Sequence, residues 1–352
     1  MEKSCVCGKH DKTKVSVIIP VYNGAKYIDR CLEFLFNQTF ECFEIICVND
    51  GSADNSSEVL KSYGERIVLV DKPVNEGSWK ARETGFNTAS GDYICLCDID
   101  DTVEPNWIET LFNQIEQTKA DISVCGFRRI SSSEGKVLSE EMTQFGKSSY
   151  DIKDDNTILL SVNHSLWNKI YKKELLAELV KFDVDPSVSD DMILNVSIYP
   201  SIRRISFSPE VCYNYYVYGG SLVNAVTEKH YELLKDRLLD IKKLYADLNV
   251  SYEWQEYLHL TAFVIFSIFL PIKLGGNADN NLRHYEKKSK AYMNEHFPLW
   301  KRPRVFRMRN LLKHRTLSKL YISWVFSKMG LIVPFVRTYN FVLKTFKIEI
   351  KW

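Results

Sequence analysis

YICLCDIDD, Tyr93 to Asp101, runs from alternating apolar residues straight into three acids. Such a run suits a buried strand, and Asp98, Asp100 and Asp101 then fall at or just beyond its carboxyl end. Working back toward the start, Val15 to Val21 (VSVIIPV) is a second β-branched run, broken at Tyr22-Asn23-Gly24 and followed by Tyr27, Ile28, Cys31, Leu32, Leu35 and Phe36 at helical spacing. Phe43 to Val48 (FEIICV) ends in Asn49-Asp50-Gly51-Ser52, and Asp54-Asn55 offer N-cap chemistry before Val59 and Leu60. Ile67 to Val70 predicts a further short strand, Trp79 to Ala89 a helix, Trp107 to Ile115 a helix opened by Pro105, and Ile122 to Phe127 a fifth strand.

Apolar strands separated by helices predict an α/β domain, its sheet parallel and covered on both faces. Ligands of such sheets bind beyond the carboxyl ends of the strands. Three polar clusters, at Tyr22-Asn23, Asn49-Asp50 and Asp98 to Asp101, should therefore meet on one edge. Neither G-x-G-x-x-G after the first strand nor G-x4-G-K-[ST] occurs, so the usual glycine cradles for phosphate are missing. Asp98, Asp100 and Asp101 instead offer hard oxygen donors for Mg2+ or Mn2+, which a few carboxylates and substrate phosphates commonly hold together. The alternative is a polar strand end with no ligand, which the position beside Asp50 disfavours.

The chain has 352 residues, 45% of them apolar and 26% charged, which is the mixture of a compact chain with a core. No period of 20 to 50 residues recurs, against solenoids and propellers. Nine cysteines are an odd number and no leader pattern opens the sequence, so a reducing, cytoplasmic setting is expected. Cys5, Cys7 and His10 lack the spacing of a zinc site, and Cys95 and Cys97 read as packing residues. The net charge of +1 is unevenly spread: residues 301–352 hold 13 Lys/Arg against one acid, leaving 33 bases and 44 acids before them. Aromatic and aliphatic residues from Tyr321 to Phe346 lie between those bases, a pattern that suits an anionic membrane surface better than nucleic acid. The longest uncharged apolar stretch, Tyr257 to Ile272, is sixteen residues and contains His259, short of a membrane span and expected to be a buried helix. Leu234, Leu238, Ile241, Tyr245 and Leu248 set a helical period for the region after about residue 225.

VSVIIPVYN (Val15 to Asn23), VNDGSADNS (Val48 to Ser56), NEGSWKARETG (Asn75 to Gly85) and ASGDYICLCDIDD (Ala89 to Asp101) together resemble, in order and spacing, family 2 glycosyltransferases. The resemblance implies the GT-A fold: a Rossmann-like, mostly parallel sheet with flanking helices, here at 15–225, between an N-terminal tail at 1–14 and a C-terminal helical region at 226–352. It implies a nucleotide-sugar donor, Mn2+ or Mg2+, and inversion at the anomeric carbon. By position, Pro20, Tyr22, Asn23 and Gly77 would line the nucleotide, Asp50 would accept from the base, and Arg82 matches the family's A-R-N arginine. Asp98 and Asp100 match its D-x-D pair, Asp100 as the direct metal ligand and Asp98 nearer the ribose and phosphate. Asn49 stands where an aspartate is commoner, and Glu83 where asparagine is.

Inverting transfer needs a base facing the acceptor hydroxyl. Phe182 to Leu194 resembles the family segment ending in Glu-Asp, which makes Asp191 the base and Asp190 its support; Asp190 could equally cap the helix that follows. Trp167 and Lys169, in a W-x-K-[LI]-Y element, lie on the acceptor side by the same resemblance, Trp167 either stacking on a sugar or serving the core. In relatives a basic residue often stands in the turn after the Tyr-rich strand from Tyr213; Tyr218-Gly219 take that place here. The expected acceptor is a glycan or lipid-linked sugar at the inner membrane face, in surface polysaccharide assembly. The rival reading is a catalytically silent GT-A domain that acts as a membrane-associated assembly partner.

Overall fold

The computed structural model describes residues 13–177, 189–218, 226–275, 279–307, 311, 315–335 and 337–338. The chain forms two compact units, one of residues 1–154 and 164–219, the other of residues 155–163 and 220–352. Assignment of 155–163 to the second unit is a feature that local sequence pattern did not indicate.

The first unit is a mixed sheet between helices. Its elements run β1 (Val15–Val21), α1 (Ala25–Phe36), β2 (Phe43–Asp50), α2 (Ser56–Lys61), β3 (Val68–Lys72), α3 (Ser78–Thr88), β4 (Tyr93–Leu96), β5 (Thr102–Val103), α4 (Trp107–Thr118), β6 (Ile122–Ser131), β7 (Val137–Glu141), β8 (Ser149–Asp151), β9 (Lys169–Lys172), α5 (Lys173–Ala177), α6 (Asp190–Ile198) and β10 (Arg204–Val217). Strand order is β3-β2-β1-β4-β9-β6-β10-β5, with β7 on β6 and β8 on β10. The longest ladders, β1 with β2 and β6 with β10, are parallel. Expectation and structure part at β9, which inserts antiparallel between β4 and β6. A wholly parallel sheet would have put β4 beside β6. Four residues, Lys169 to Lys172, are too few to announce a strand, and their pairing partners supply what the segment itself lacks.

Both faces of the sheet are covered because β1 is buried on both. Val17 and Ile19 join Ile28, Cys31, Leu32 and Leu35 of α1 in the main core cluster. Ile18 meets α3 on the opposite face so closely that a β-carbon at Gly85 would lie 2.3 Å from its Cγ2. Each such aliphatic side chain, fully buried, contributes about 1.5–3 kcal/mol. Val21 lies in register with Asn49, so the loops after β1 and β2 leave the sheet side by side. Their contact is direct: Ala53 N–H donates to Asn23 Oδ1 at 2.8 Å, and Asn23 N–H donates to Ser52 Oγ at 3.0 Å. Gly51 at φ +63 makes the turn, and a β-carbon there would stand 2.3 Å from the Val74 carbonyl carbon. Only glycine fits that left-handed position against backbone.

The second unit is helical among its described residues: α7 (Glu228–Asp247), α8 (Tyr252–Val264), a π turn (Ile265–Phe269), α9 (Leu270–Gly275), α10 (Asp279–His296) and α11 (Arg315–Lys328). Tyr231, Leu234, Leu238, Ile241 and Tyr245 are the buried stripe of α7, while Leu248 lies past the helix end and is 43% exposed. The stretch from Tyr257 is a buried helix as expected, His259 accepting a bond from Leu299 N–H. No helix among the described residues is long and apolar enough to cross a membrane. α11 buries Leu317, Leu320, Ser323 and Ser327 and leaves Ile322 exposed.

Candidate active site

The polar clusters converge on the carboxyl edge of β1, β2 and β4, and each carboxylate there has a distinct environment. Asp101 is 1% exposed. Its carboxylate accepts from Tyr213 Oη at 2.9 Å and Tyr216 N–H at 2.8 Å, and Tyr213 Oη in turn accepts from Asp98 N–H at 3.1 Å. The third acid of the D-x-D-D turn is therefore an anchor to β10, which corrects its reading as a metal donor. With Asp101 turned inward, Asp98 and Asp100 remain. Burial, then the neighbouring Asp98, pushes the Asp100 carboxyl up to about 6. Two carboxyls that disfavour each other's charge, with Arg30 and Lys26 pulling the other way, fit a divalent cation, which would relieve the repulsion.

Arg82 organises the remaining acids. The residue is 6% exposed, on the second turn of α3 and on its buried face with Trp79 and Phe86. Nη2 lies 3.4 Å from Asp98 Oδ1, and Nη1 pairs with Asp190 Oδ2 and lies 3.3 Å from Asp191 Oδ1. Three carboxylates from two distant segments thus share one guanidinium, whose fork can serve several acceptors at once. Ser78 Oγ also donates to Asp190 Oδ2 at 2.8 Å, and Asp191 N–H donates to Asp190 Oδ1 at 2.9 Å. Asp190 is the first residue of α6, held by α3 and its own helix start; Asp191 beside it is partly open, its side chain 26% exposed. Burial pushes the Asp191 carboxyl up to about 8 against the pull of Arg82, with Asp190 and Asp98 adding to the rise. The segment 182–188 preceding this pair lies outside the described residues.

α6 is fastened from behind by Asn195, whose amide donates to the carbonyls of His164 (2.7 Å) and Asp191 (3.0 Å) and whose Oδ1 accepts from Tyr171 Oη at 3.0 Å. Lys169 belongs to this backing. It is 0% exposed, Nζ donating to Ser165 O and to Asn168 Oδ1, and burial brings its ammonium down to about 7. Trp167 is 5% exposed, stacked with Tyr213 at 4.4 Å and Tyr215 at 5.3 Å and edge-on to Phe127. Neither side chain offers a surface to an acceptor; both corrections follow from burial that a W-x-K pattern does not reveal.

On the other side of the edge, Asp50 is also corrected. Its carboxylate, 3% exposed, takes Lys72 Nζ at 2.6 Å, Glu76 N–H at 3.2 Å and Gly77 N–H at 2.7 Å. That holds the 75–77 turn and leaves no face for a base. Gly77, at φ 95, follows as the N-cap of α3, a conformation that glycine supplies freely. Asn23, at φ 49, spends its amide oxygen on Ala53, so it shapes the loop; Pro20 is half-buried and Tyr22, 52% exposed, is open to a ligand. Asp71 was missed in the sequence. The Asn49 amide donates to it at 2.7 Å, and bonds from Lys61, Ser57 and Asn49 hold its carboxyl down to about 2. The departure Glu83 pairs with Lys80 at 3.0 Å.

A sheet of this topology, with paired acids at the end of β4 and further acids gathered on an α3 arginine, defines a GT-A fold. Residues 16–180 match the model of the family described as Glycosyl transferase family 2, and the chain belongs to that family. Glycosyltransferase GlyA of Streptococcus pneumoniae is 32% identical over 259 residues, 70% of this chain and 36% of that protein. The poly(ribitol-phosphate) beta-glucosyltransferase of Bacillus spizizenii is 30% identical over 211 residues, 58% of this chain and 32% of that protein. The chain thus spans about a third of the length of these two relatives. Among solved structures, S. aureus TarS 1–349 in complex with UDP-GlcNAc superposes with a TM-score of 0.65 at 18% identity, covering 94% of this chain and 92% of that one; the likeness is one of fold.

Proposed function

We propose that this glycosyltransferase moves a sugar from a UDP-sugar to a hydroxyl of a glycan or lipid-linked acceptor, with inversion, in cell-surface polysaccharide synthesis. What carries the reading is the gathering of Asp98, Asp190 and Asp191 on Arg82 beside Asp100. One guanidinium offsets three carboxylates only in part, and a silent domain would gain nothing from the excess of negative charge. A relative named for glucosyl transfer to poly(ribitol-phosphate) and a fold neighbour crystallised with UDP-GlcNAc support the donor and acceptor classes.

Each residue has a step. Asp191, the more open of the α6 acids, takes the proton of the attacking hydroxyl, and Asp190 positions it through Arg82 and Ser78. Arg82 opposes the effect of burial on the Asp98 and Asp191 carboxyls and aligns all three acids. Asp98 and Asp100 would hold Mn2+ or Mg2+, which supplies positive charge for the departing diphosphate. Tyr22 covers the nucleotide, and Gly77 lets backbone approach it.

Calorimetry of UDP, GDP and CMP, with and without Mn2+, tests the donor side. UDP binding that requires both metal and an intact Asp100 is expected, with Asp100→Ala lowering affinity at least about tenfold. A folded protein that binds none of the three would return the silent-partner reading.

The second unit gives the membrane reading its support. Met329 is 66% exposed, Ile322 48% and Leu331 37%, beside exposed Lys319 and Lys328, within a region rich in bases. These side chains suit the interface of an anionic cytoplasmic leaflet, where apolar contact and charge act together. The full chain should float with anionic liposomes and lose that association when Ile322 and Met329 are both changed to Ser. Equal flotation of the variant would place the contact elsewhere.

A further inference from the structure

The sequence after β10 lacks the basic residue that relatives often carry, Tyr218-Gly219 standing in its place. A cation reaches the same neighbourhood from α1. Arg30 Nη2 donates to the main-chain carbonyl of Asp100 and, at 3.4 Å, to Tyr218 Oη. Tyr218 Oη donates to that same carbonyl at 3.3 Å. The guanidinium lies over the Tyr216 ring, 4.6 Å from its centroid, and 5.6 Å from that of Tyr27. Arg30 is therefore fixed by three tyrosines and a carbonyl, with no carboxylate directly paired to it among the described residues. Its Nε is buried without a partner among those residues. One turn earlier on α1, Lys26 adds a second positive charge, and both charges act on the Asp100 carboxyl.

Arg30 is half-buried with its Nε enclosed, and a partly desolvated guanidinium without a carboxylate partner is better satisfied when an anion completes it. The anion it would meet lies beside Asp100, where a metal-bridged diphosphate would sit. Planar guanidinium groups pair well with phosphate oxygens, and fixing the side chain beforehand lowers the entropy cost of that contact. We infer that Arg30 is a ligand of the distal phosphate of the donor's nucleoside diphosphate, supplying from α1 the positive charge that the sequence after β10 lacks. This rests on the nucleotide-sugar reading above and adds to it a residue outside the stretches that carry the family resemblance.

A phosphate ligand and a mere brace for the Asp100 turn predict different things. A brace would affect every nucleotide that uses the metal site, whereas a ligand of the distal phosphate acts only where that phosphate exists. The experiment is calorimetry of UDP and UMP, each with Mn2+, on the full chain, Arg30→Met and Arg30→Lys, with thermal melts to confirm folding. The expected result is a preference of the unaltered chain for UDP over UMP, a loss of about tenfold to a hundredfold in UDP affinity in Arg30→Met, UMP affinity within about twofold, and partial return of UDP binding in Arg30→Lys. Equal weakening of UDP and UMP would make Arg30 a brace and overturn the inference, as would unchanged UDP binding. If the unaltered chain binds neither nucleotide, the donor reading itself falls and the inference falls with it. If Arg30→Met fails to fold, the UDP to UMP ratio in folded Arg30→Lys decides, an unchanged ratio overturning the assignment.

Discussion

Asparagine at position 191 is expected to lower kcat by about 10²–10⁴-fold, the usual worth of a positioned general base, while donor affinity stays near that of the unaltered enzyme. The split follows from geometry. Asp191 is the most open of the α6 acids, and Arg82 keeps Asp190 and Asp98 as partners when the Asp191 charge is removed, so the edge of the sheet remains assembled. The substitution is isosteric and leaves α6 pinned through Asn195. The same residue sets a pH dependence with a definite sign. Only the ionised carboxylate can accept the hydroxyl proton, and burial pushes its protonation up to about 8. Thus kcat/KM should rise about tenfold per pH unit in the acid range and level off near 8. Asp191→Asn should lack that limb. Retention of more than about a tenth of the turnover, or the same acid limb in the variant, would remove Asp191 from the base's role.

Much of this edge could be read in order along the chain, because the information is local. An apolar run that ends in acids places those acids at a strand's carboxyl end, and the parallel pairing of β1 with both β2 and β4 turns three separate clusters into one surface. What could not be read depends on partners far away in sequence. Asp100 and Asp101 are adjacent and chemically identical, yet Tyr213, 112 residues from Asp101, binds the one and leaves the other to the ligand side. Asp50 looked like a base acceptor until Glu76 and Gly77 were seen folded over it, and Lys169 looked accessible until the Ser165 carbonyl and Asn168 enclosed it. Trp167 illustrates the same point: its pattern is compatible with a sugar platform, and only the stacking of Tyr213 and Tyr215 makes it core. Strand β9 joins the sheet by pairing with β4 and β6, not by its own propensity.

Arg82→Met should be the most disruptive single change in the first unit. Methionine fills much of the same volume, so lost packing is small. The loss is of the cation that serves Asp98, Asp190 and Asp191 together, whose side chains are 32%, 16% and 26% exposed. Leaving partly buried charge without its partner costs about 3–5 kcal/mol, which for a unit of this size lowers Tm by roughly 10 °C. Arg82→Lys should recover only a part, since one ammonium cannot reach acceptors on both β4 and α6 with the arginine's fork. The cause can be separated from a general packing defect by pH. Without Arg82 the carboxyls of Asp98 and Asp191, already raised, rise further above their unfolded values. Groups raised in the folded state favour folding at low pH and lose that contribution as pH climbs through their folded values. The gap between Arg82→Met and the unaltered protein should therefore be larger at pH 8 than at pH 5. Adding Asp190→Asn to Arg82→Met should narrow it, because one of the stranded charges is gone and the two positions are coupled. A gap that is the same at both pH values, or a double variant no more stable than the single, would show that Arg82 holds the fold by packing, and the assignment of the three acids to one shared cation would be lost.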